Sequence, residues 1–193
     1  NLDTERGLAN ALWMDGQLDE ALKVFNTIVA AEPQDAQSQI RISDIQRRQG
    51  HYDQALATLE KAKPLAQDSV ELNYNEALIY DSLGRYDEAI ATLKTLVAGT
   101  AHADGKYTDH EKGNRAIFLD RMGIIYREQN KTAEAVAAYA QMVPMGADFA
   151  KSGFQGQVDS YRDAHMWKEA TAVAAEAAKQ SPKDQSVQLM YAG

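Results

Sequence analysis

Gly84-Arg85-Tyr86-Asp87-Glu88-Ala89-Ile90 has two close relatives upstream, each displaced by 34 residues: Gly50-His51-Tyr52-Asp53-Gln54-Ala55-Leu56 and Gly16-Gln17-Leu18-Asp19-Glu20-Ala21-Leu22. Two looser copies follow. Asn130-Lys131-Thr132-Ala133-Glu134-Ala135-Val136 comes 46 residues after Gly84, and His165-Met166-Trp167-Lys168-Glu169-Ala170-Thr171 another 35 on. Gly or Asn opens four of the five phrases, as befits a helix that ends in a left-handed turn. His165 is less suited to that place. Asp19, Asp53 and Asp87 then stand where the next helix should start, at the positive end of its dipole. Four residues after the recurring alanine, one turn along the same face, sit Phe25, Leu59, Leu93 and Tyr139, with Ala174 in the last copy.

The segments before these phrases repeat as well. Ala77 and Tyr80, Gly123 and Tyr126, and Val158 and Tyr161 are each three apart and precede their alanine by the same distance. Small residues on one helix facing an alanine on the next allow a close crossing. Each unit therefore reads as helix A, a tight turn and helix B. Pro33 and Pro182 close the first and fifth units. Pro64 and Pro144 fall three residues earlier in theirs, so those B helices should end sooner or kink.

A small residue, Tyr three later, Gly-x-Tyr-x-x-Ala and a closing Pro resemble the tetratricopeptide repeat, or TPR. The resemblance implies an all-α, right-handed superhelical solenoid of stacked helix-turn-helix units, with A helices on the concave surface. It divides residues 1–193 as a single array: repeats at 2–35, 36–69, 70–103, 113–149 and 150–184, a long loop inserted at 98–112, and the first part of a further helix at 185–193. Ser43 and Gln46 depart from the small and aromatic residues usual at those places, and Ala170 to Ala178 makes the fifth unit alanine-rich. Such a half-unit at the end suggests a fragment of a longer array, with an open C-terminal face available for self-association.

The bulk chemistry narrows function. A net charge of −8 repels phosphate backbones and acidic membrane surfaces, so nucleic acid is a poor partner. No apolar run is long enough to insert in a bilayer, and cytoplasm and periplasm are both allowed. The absence of cysteine removes thiol nucleophiles, thiolate metal sites and disulfides. Phosphate-loop, dinucleotide and Gly-x-Ser-x-Gly patterns are missing, so no enzyme activity and no cofactor are expected. His102, Asp104, Asp109 and His110 in the insertion are the one set worth weighing for metal. They lack a helical histidine pair and the alternating acids of a calcium loop, so no metal site is expected either.

What remains is protein or peptide binding. Eight of nine arginines lie in A-helix segments: Arg6, Arg41, Arg47, Arg48, Arg115, Arg121, Arg127 and Arg162. By the family register, Arg6, Arg41 and Arg121 face the groove with Asn10 and Asn75, while Trp13, Asp44, Tyr74 and Asp120 complete a candidate peptide-binding surface. Arginine forks suit carboxylates and carbonyls, so an acidic partner is one this surface would suit. The competing reading pairs the arginines with acids of their own helices, such as Asp44, Asp81, Asp120 and Asp159. The family's two-carboxylate clamp is matched by Arg6 and Asn10 only; Arg41, Glu71 and Asn75 break the pattern. The resemblance implies a scaffold holding a partner segment in the concave groove. The alternative is a structural spacer or self-association module, with any catalysis elsewhere.

Overall fold

The computed structural model describes residues 1–101 and 105–192, and among them there is no strand. Eleven α-helices follow one another: α1 (Leu2–Met14), α2 (Leu18–Ala31), α3 (Ala36–Arg48), α4 (Tyr52–Ala62), α5 (Val70–Ser82), α6 (Tyr86–Gly99), α7 (Asp109–Glu128), α8 (Thr132–Ala140), α9 (Ala147–Asp163), α10 (Trp167–Gln180) and α11 (Gln185–Ala192). They form two compact units, Asn1–Thr92 and Leu93–Gly193. In the first unit α1 packs on α2, α2 on α3, α3 on α4 and α5, and α4 on α5. In the second, α7 packs on α8 and α9, α8 on α9, α9 on α10 and α10 on α11. Within each unit helices pack on the ones that follow them, and α3 also meets α5 and α7 meets α9, which is how stacked hairpins bury faces that no hairpin could bury alone.

All five turns between A and B helices contain the residue predicted to end helix A in a left-handed conformation. The φ values are 79° at Gly16, 82° at Gly50, 71° at Gly84, 57° at Asn130 and 58° at His165. His165 adopts it despite its Cβ. The prolines act as expected. Pro64 and Pro144 each lie in a 3₁₀ turn, at Lys63–Leu65 and Val143–Met145, and the helices before them are short. Thus α4 has 11 residues and α8 has 9, against 14 in α2 and α10.

The recurring alanines are the tightest points of the core: Ala21, Ala55, Ala89 and Ala135 have no exposed surface, and Ala170 very little. In the first unit Phe25 and Ile28 pack with Ile42 and Ile45, and Leu59 with Ile40, Leu72 and Ile79. The unusual Ser43 is fully buried, its hydroxyl donating to the carbonyl of Ala55 at 2.8 Å. Its partner in irregularity, Gln46, accepts from the Thr58 hydroxyl at 2.8 Å. Both polar substitutions therefore bond across the α3–α4 hairpin instead of packing by shape. In the second unit Phe154, Val158, Ala170, Ala174, Ala177, Val187 and Met190 form one cluster, so the alanine-rich helix α10 is filled in by larger residues from α9 and α11.

Both ends of the segment assigned to the insertion are helical. Ala98 and Gly99 still belong to α6, and α7 starts at Asp109, within the segment assigned to the loop. The reason is local: Thr108 and Glu111 form a reciprocal capping box, with Thr108 Oγ1 accepting from the Glu111 N–H and Glu111 accepting from Thr108. That start gives α7 20 residues. His102 and Asp104 lie outside the described residues. His110 sits on the first turn of α7, 3.3 Å from the Asn114 side-chain nitrogen.

Candidate functional site

In the first unit the side chains of α1, α3 and α5 form a ladder across three A helices. Trp13, on α1, donates its indole N–H to Asp44 on α3 at 2.8 Å. The guanidinium of Arg41, one turn earlier on α3, stacks on the Trp13 ring with its carbon 4.1 Å from the ring centre. Its Nη1 bonds Glu71 on α5, and Glu71 also accepts from Gln37 at 3.0 Å. Asp44 is buried and filled: its other oxygen accepts from Arg47 at 2.7 Å, with Arg48 3.9 Å away. A carboxylate so supplied holds Trp13 and Arg47 in fixed positions.

Arg41 and Arg47 each keep a buried Nε–H that has no acceptor among the described residues. A buried donor without a partner costs about 1–3 kcal/mol. At Arg41 that donor sits beside a half-buried indole. The combination is a flat apolar face next to an oriented, incompletely used guanidinium, a composition that suits a backbone carbonyl flanked by an apolar group. Asn75 is buried on α5 and Tyr74 half-buried beside it in sequence.

Arg6 is different. Its three nitrogens each meet a carboxylate: Nη1 meets Asp3 at 2.9 Å, Nε meets Asp35 at 2.8 Å, and Nη2 meets Glu32. Asn10, one turn on, donates to the Arg6 carbonyl at 2.9 Å. Asp35 also caps α3, accepting from the Ser38 N–H at 3.0 Å. Burial pushes the Asp35 carboxyl up, but the Ser38 N–H and Arg6 together hold it below the usual carboxylate value. Arg6 and Asn10 are therefore occupied with the chain itself. The acids responsible are mostly not on Arg6's own helix, as the competing reading supposed, but at the α2–α3 junction.

Asp120 and Arg121 lie on α7 in the second unit. Arg121 is already engaged by other groups of the chain. Asp120 is half-buried, and burial raises its carboxyl above the usual value, which the charges of Arg121 and Arg127 offset only in part. Nearby, Arg127 pairs with Asp163 at 2.8 Å and lies 4.0 Å from Asp159, while Arg162 donates to the Met190 carbonyl at 3.2 Å. Sequence reasoning passed over Gln37 and Glu32, and met Glu71 only as a departure from the clamp pattern, not as the partner of Arg41. A signal existed: each acid that takes Arg6 or Arg41 from a neighbouring helix lies 26 to 30 residues further on, a little less than one repeat.

Comparisons with known proteins agree with this architecture. Two family models, both described as tetratricopeptide repeat, match: one at residues 12–73 and 46–107, the other at 119–143. Among solved structures, nearly identical TPR-like repeats from Podosopora anserina superpose with a TM-score of 0.72 at 17% identity, covering 95% of this chain and 97% of that one. A tetratricopeptide repeat protein from Parabacteroides merdae gives a TM-score of 0.71 at 16% identity, with 99% and 71% covered. MamA from Desulfovibrio magneticus gives 0.71 at 14% identity, with 95% and 97% covered. At such identities the likeness is one of fold. No curated protein sequence matches. No helix among the described residues is long and apolar enough to cross a membrane.

Proposed function

Since the chain belongs to the tetratricopeptide repeat family, whose fold is in general a scaffold for protein contacts, we propose that it holds a segment of a partner protein against the A helices of its first unit. The observation that carries this reading is the Trp13–Arg41 stack, which sets a half-buried indole against a guanidinium held in place by Glu71. Trp and Arg are the residue types that dominate binding energy at protein interfaces. The ladder is preorganised by Asp44 and Glu71, so little side-chain freedom is lost when a partner docks. The partner segment supplies a carbonyl to Arg41 and an apolar side chain to Trp13. Charge selects it weakly here, because Glu71 and Asp44 already balance Arg41 and Arg47.

The test is affinity capture from a native extract with the parent chain and with a Trp13→Ala/Arg41→Ala variant, each tagged. Proteins held by the parent and lost by the variant, at unchanged far-ultraviolet circular dichroism, support the assignment. Identical captured sets would move the binding surface elsewhere.

A further inference from the structure

A cavity of about 780 Å³ opens in the second unit between residues 105–107, the first turns of α7 and the 3₁₀ turn after α8. Its wall includes Lys106, Tyr107, Lys112, Arg115, Pro144 and Met145, and no carboxylate is among the described residues that line it. Three of these residues, Lys106, Lys112 and Arg115, are cationic in a chain of net charge −8.

Arg115 is held by neutral groups. Its Nη1 donates to the Val97 carbonyl at 2.7 Å and to the Thr100 hydroxyl at 3.0 Å, and its Nη2 to the Gln141 side-chain carbonyl at 3.2 Å. All three acceptors are neutral. Arg6, Arg41, Arg47 and Arg127 each hold a carboxylate; Arg115 is fixed in place without one. Tyr107 lies under the guanidinium, its ring centre 5.4 Å away. Lys112 reaches Asp109 at 3.5 Å, but that carboxylate is fully exposed, where an ion pair contributes little. Glu111, the other acid of this turn, is drawn back to cap α7, accepting from the Thr108 N–H at 2.8 Å and its hydroxyl at 2.9 Å.

A cation anchored by neutral groups is preorganised for an anion, because binding does not first have to break an internal ion pair. The cavity has room for more than a phosphate, and Pro144, Met145 and Tyr107 give it an apolar side that a bare inorganic anion could not use. We propose that this cavity takes a carboxylate side chain from an acidic segment of a protein partner, with a neighbouring apolar residue of that segment packed on Met145 and Pro144. The proposal rests on the scaffold reading but uses none of the Trp13–Arg41 ladder.

Fluorescence anisotropy of the whole chain with a short fluorescein-labelled peptide of Glu and Leu, beside its Gln and Leu counterpart, tests it. The Glu peptide should bind about tenfold or more tightly than the Gln peptide, and added salt should weaken it. Lys106→Glu/Lys112→Glu, at exposed and half-buried positions, should weaken it about tenfold while the circular dichroism spectrum stays the same. Trp13→Ala/Arg41→Ala should leave Glu-peptide binding intact, so loss of captured partners in that variant and loss of peptide binding in the lysine variant report separately on the two sites. Equal binding of the Glu and Gln peptides, or binding unaffected by the lysine substitutions, overturns the proposal. So does displacement by inorganic phosphate as effective as by unlabelled peptide, which would mark a plain anion site.

Discussion

A Cβ added to Gly156 on α9 would stand 2.5 Å from the Cγ and Cε1 of Tyr139 on α8, a separation that non-bonded carbon atoms do not tolerate. Gly123 on α7 meets the same ring, with a Cβ that would fall 2.5 Å from Cε2. Two glycines on successive A helices thus open a slot through which a B-helix tyrosine passes. The ring is buried, and burial together with the nearby Asp120 pushes the Tyr139 hydroxyl's pKa up, which Arg127 offsets only in part.

Gly156→Ala should therefore destabilise the protein. In an ordinary helix interior the same change gains about 1 kcal/mol from propensity. Here overpacking against a ring with no room to move costs about 1–3 kcal/mol and outweighs it. Urea denaturation would show a lower midpoint, and the loss should shrink in a Tyr139→Ala background, because the two positions share one space. A Gly156→Ala variant more stable than the parent would mean that the ring can step aside.

The turn at His165 carries an opposite expectation. With φ at 58°, a side chain is held in a backbone region that favours Gly, and the ring's tilted contact with exposed Trp167, 5.6 Å between centroids, offsets little. His165→Gly should gain about 0.5–1 kcal/mol, and His165→Val should lose at least as much, since a β-branched residue fits this region worst. Thermal melts of the two variants moving in the same direction would contradict this.

These two sites mark how far the sequence could be read. The helix ends were legible because they depend on neighbours in the chain: a left-handed residue at 16, 50, 84, 130 and 165, and prolines at 64 and 144. The capping box at Thr108 and Glu111 is equally local and could have shortened the loop assigned to 98–112. The Tyr139 slot was half visible, since Gly123 and Tyr139 each occupied a repeat position, but Gly156 mattered only once α9 lay beside α8. The arginines were the hardest to read. Whether Arg6 is open to a partner turns on Glu32 and Asp35 reaching it from the next hairpin, a three-dimensional coincidence that composition does not carry.

Asp120 gives a pH test. Its folded carboxyl titrates above the ordinary value, chiefly through burial, while Tyr139 and Asp159 face it from α8 and α9 and Arg121 and Arg127 from α7. A raised folded pKa means that the native state favours the protonated form, so the charged form weighs against stability once the pH rises through that value. Asp120→Asn should melt higher than the parent at neutral pH, and the gap should close as the pH falls through the carboxylate range. A variant that melts lower at neutral pH would show that the charge is used by Arg127 more than it is penalised by burial.

The last prediction separates two arginines that the sequence places in one row. Arg6 is shared among Asp3, Glu32 and Asp35, and the Asp35 side chain is only 8% exposed. Arg6→Ala should lower the unfolding midpoint, because a buried carboxylate that also caps α3 loses its counter-ion. The difference from the parent should narrow on acidification. The Asp35 carboxyl is held below its unfolded value, so its contribution is present above that value and lost as the pH falls through the folded one. Partner binding, measured below the melting range, should be unchanged in Arg6→Ala. Arg41→Ala should do the reverse. Its guanidinium covers the Trp13 ring and retains an unused buried donor, so its removal relieves an unsatisfied group while stripping the ladder of its donor. Stability should change little, and affinity for a captured partner should fall by about 2 kcal/mol or more, as at an interface hot spot. Arg6→Ala weakening binding as much as Arg41→Ala, with both melting like the parent, would mean that the acids around Arg6 give way to a partner, and that the whole arginine row belongs to the binding surface.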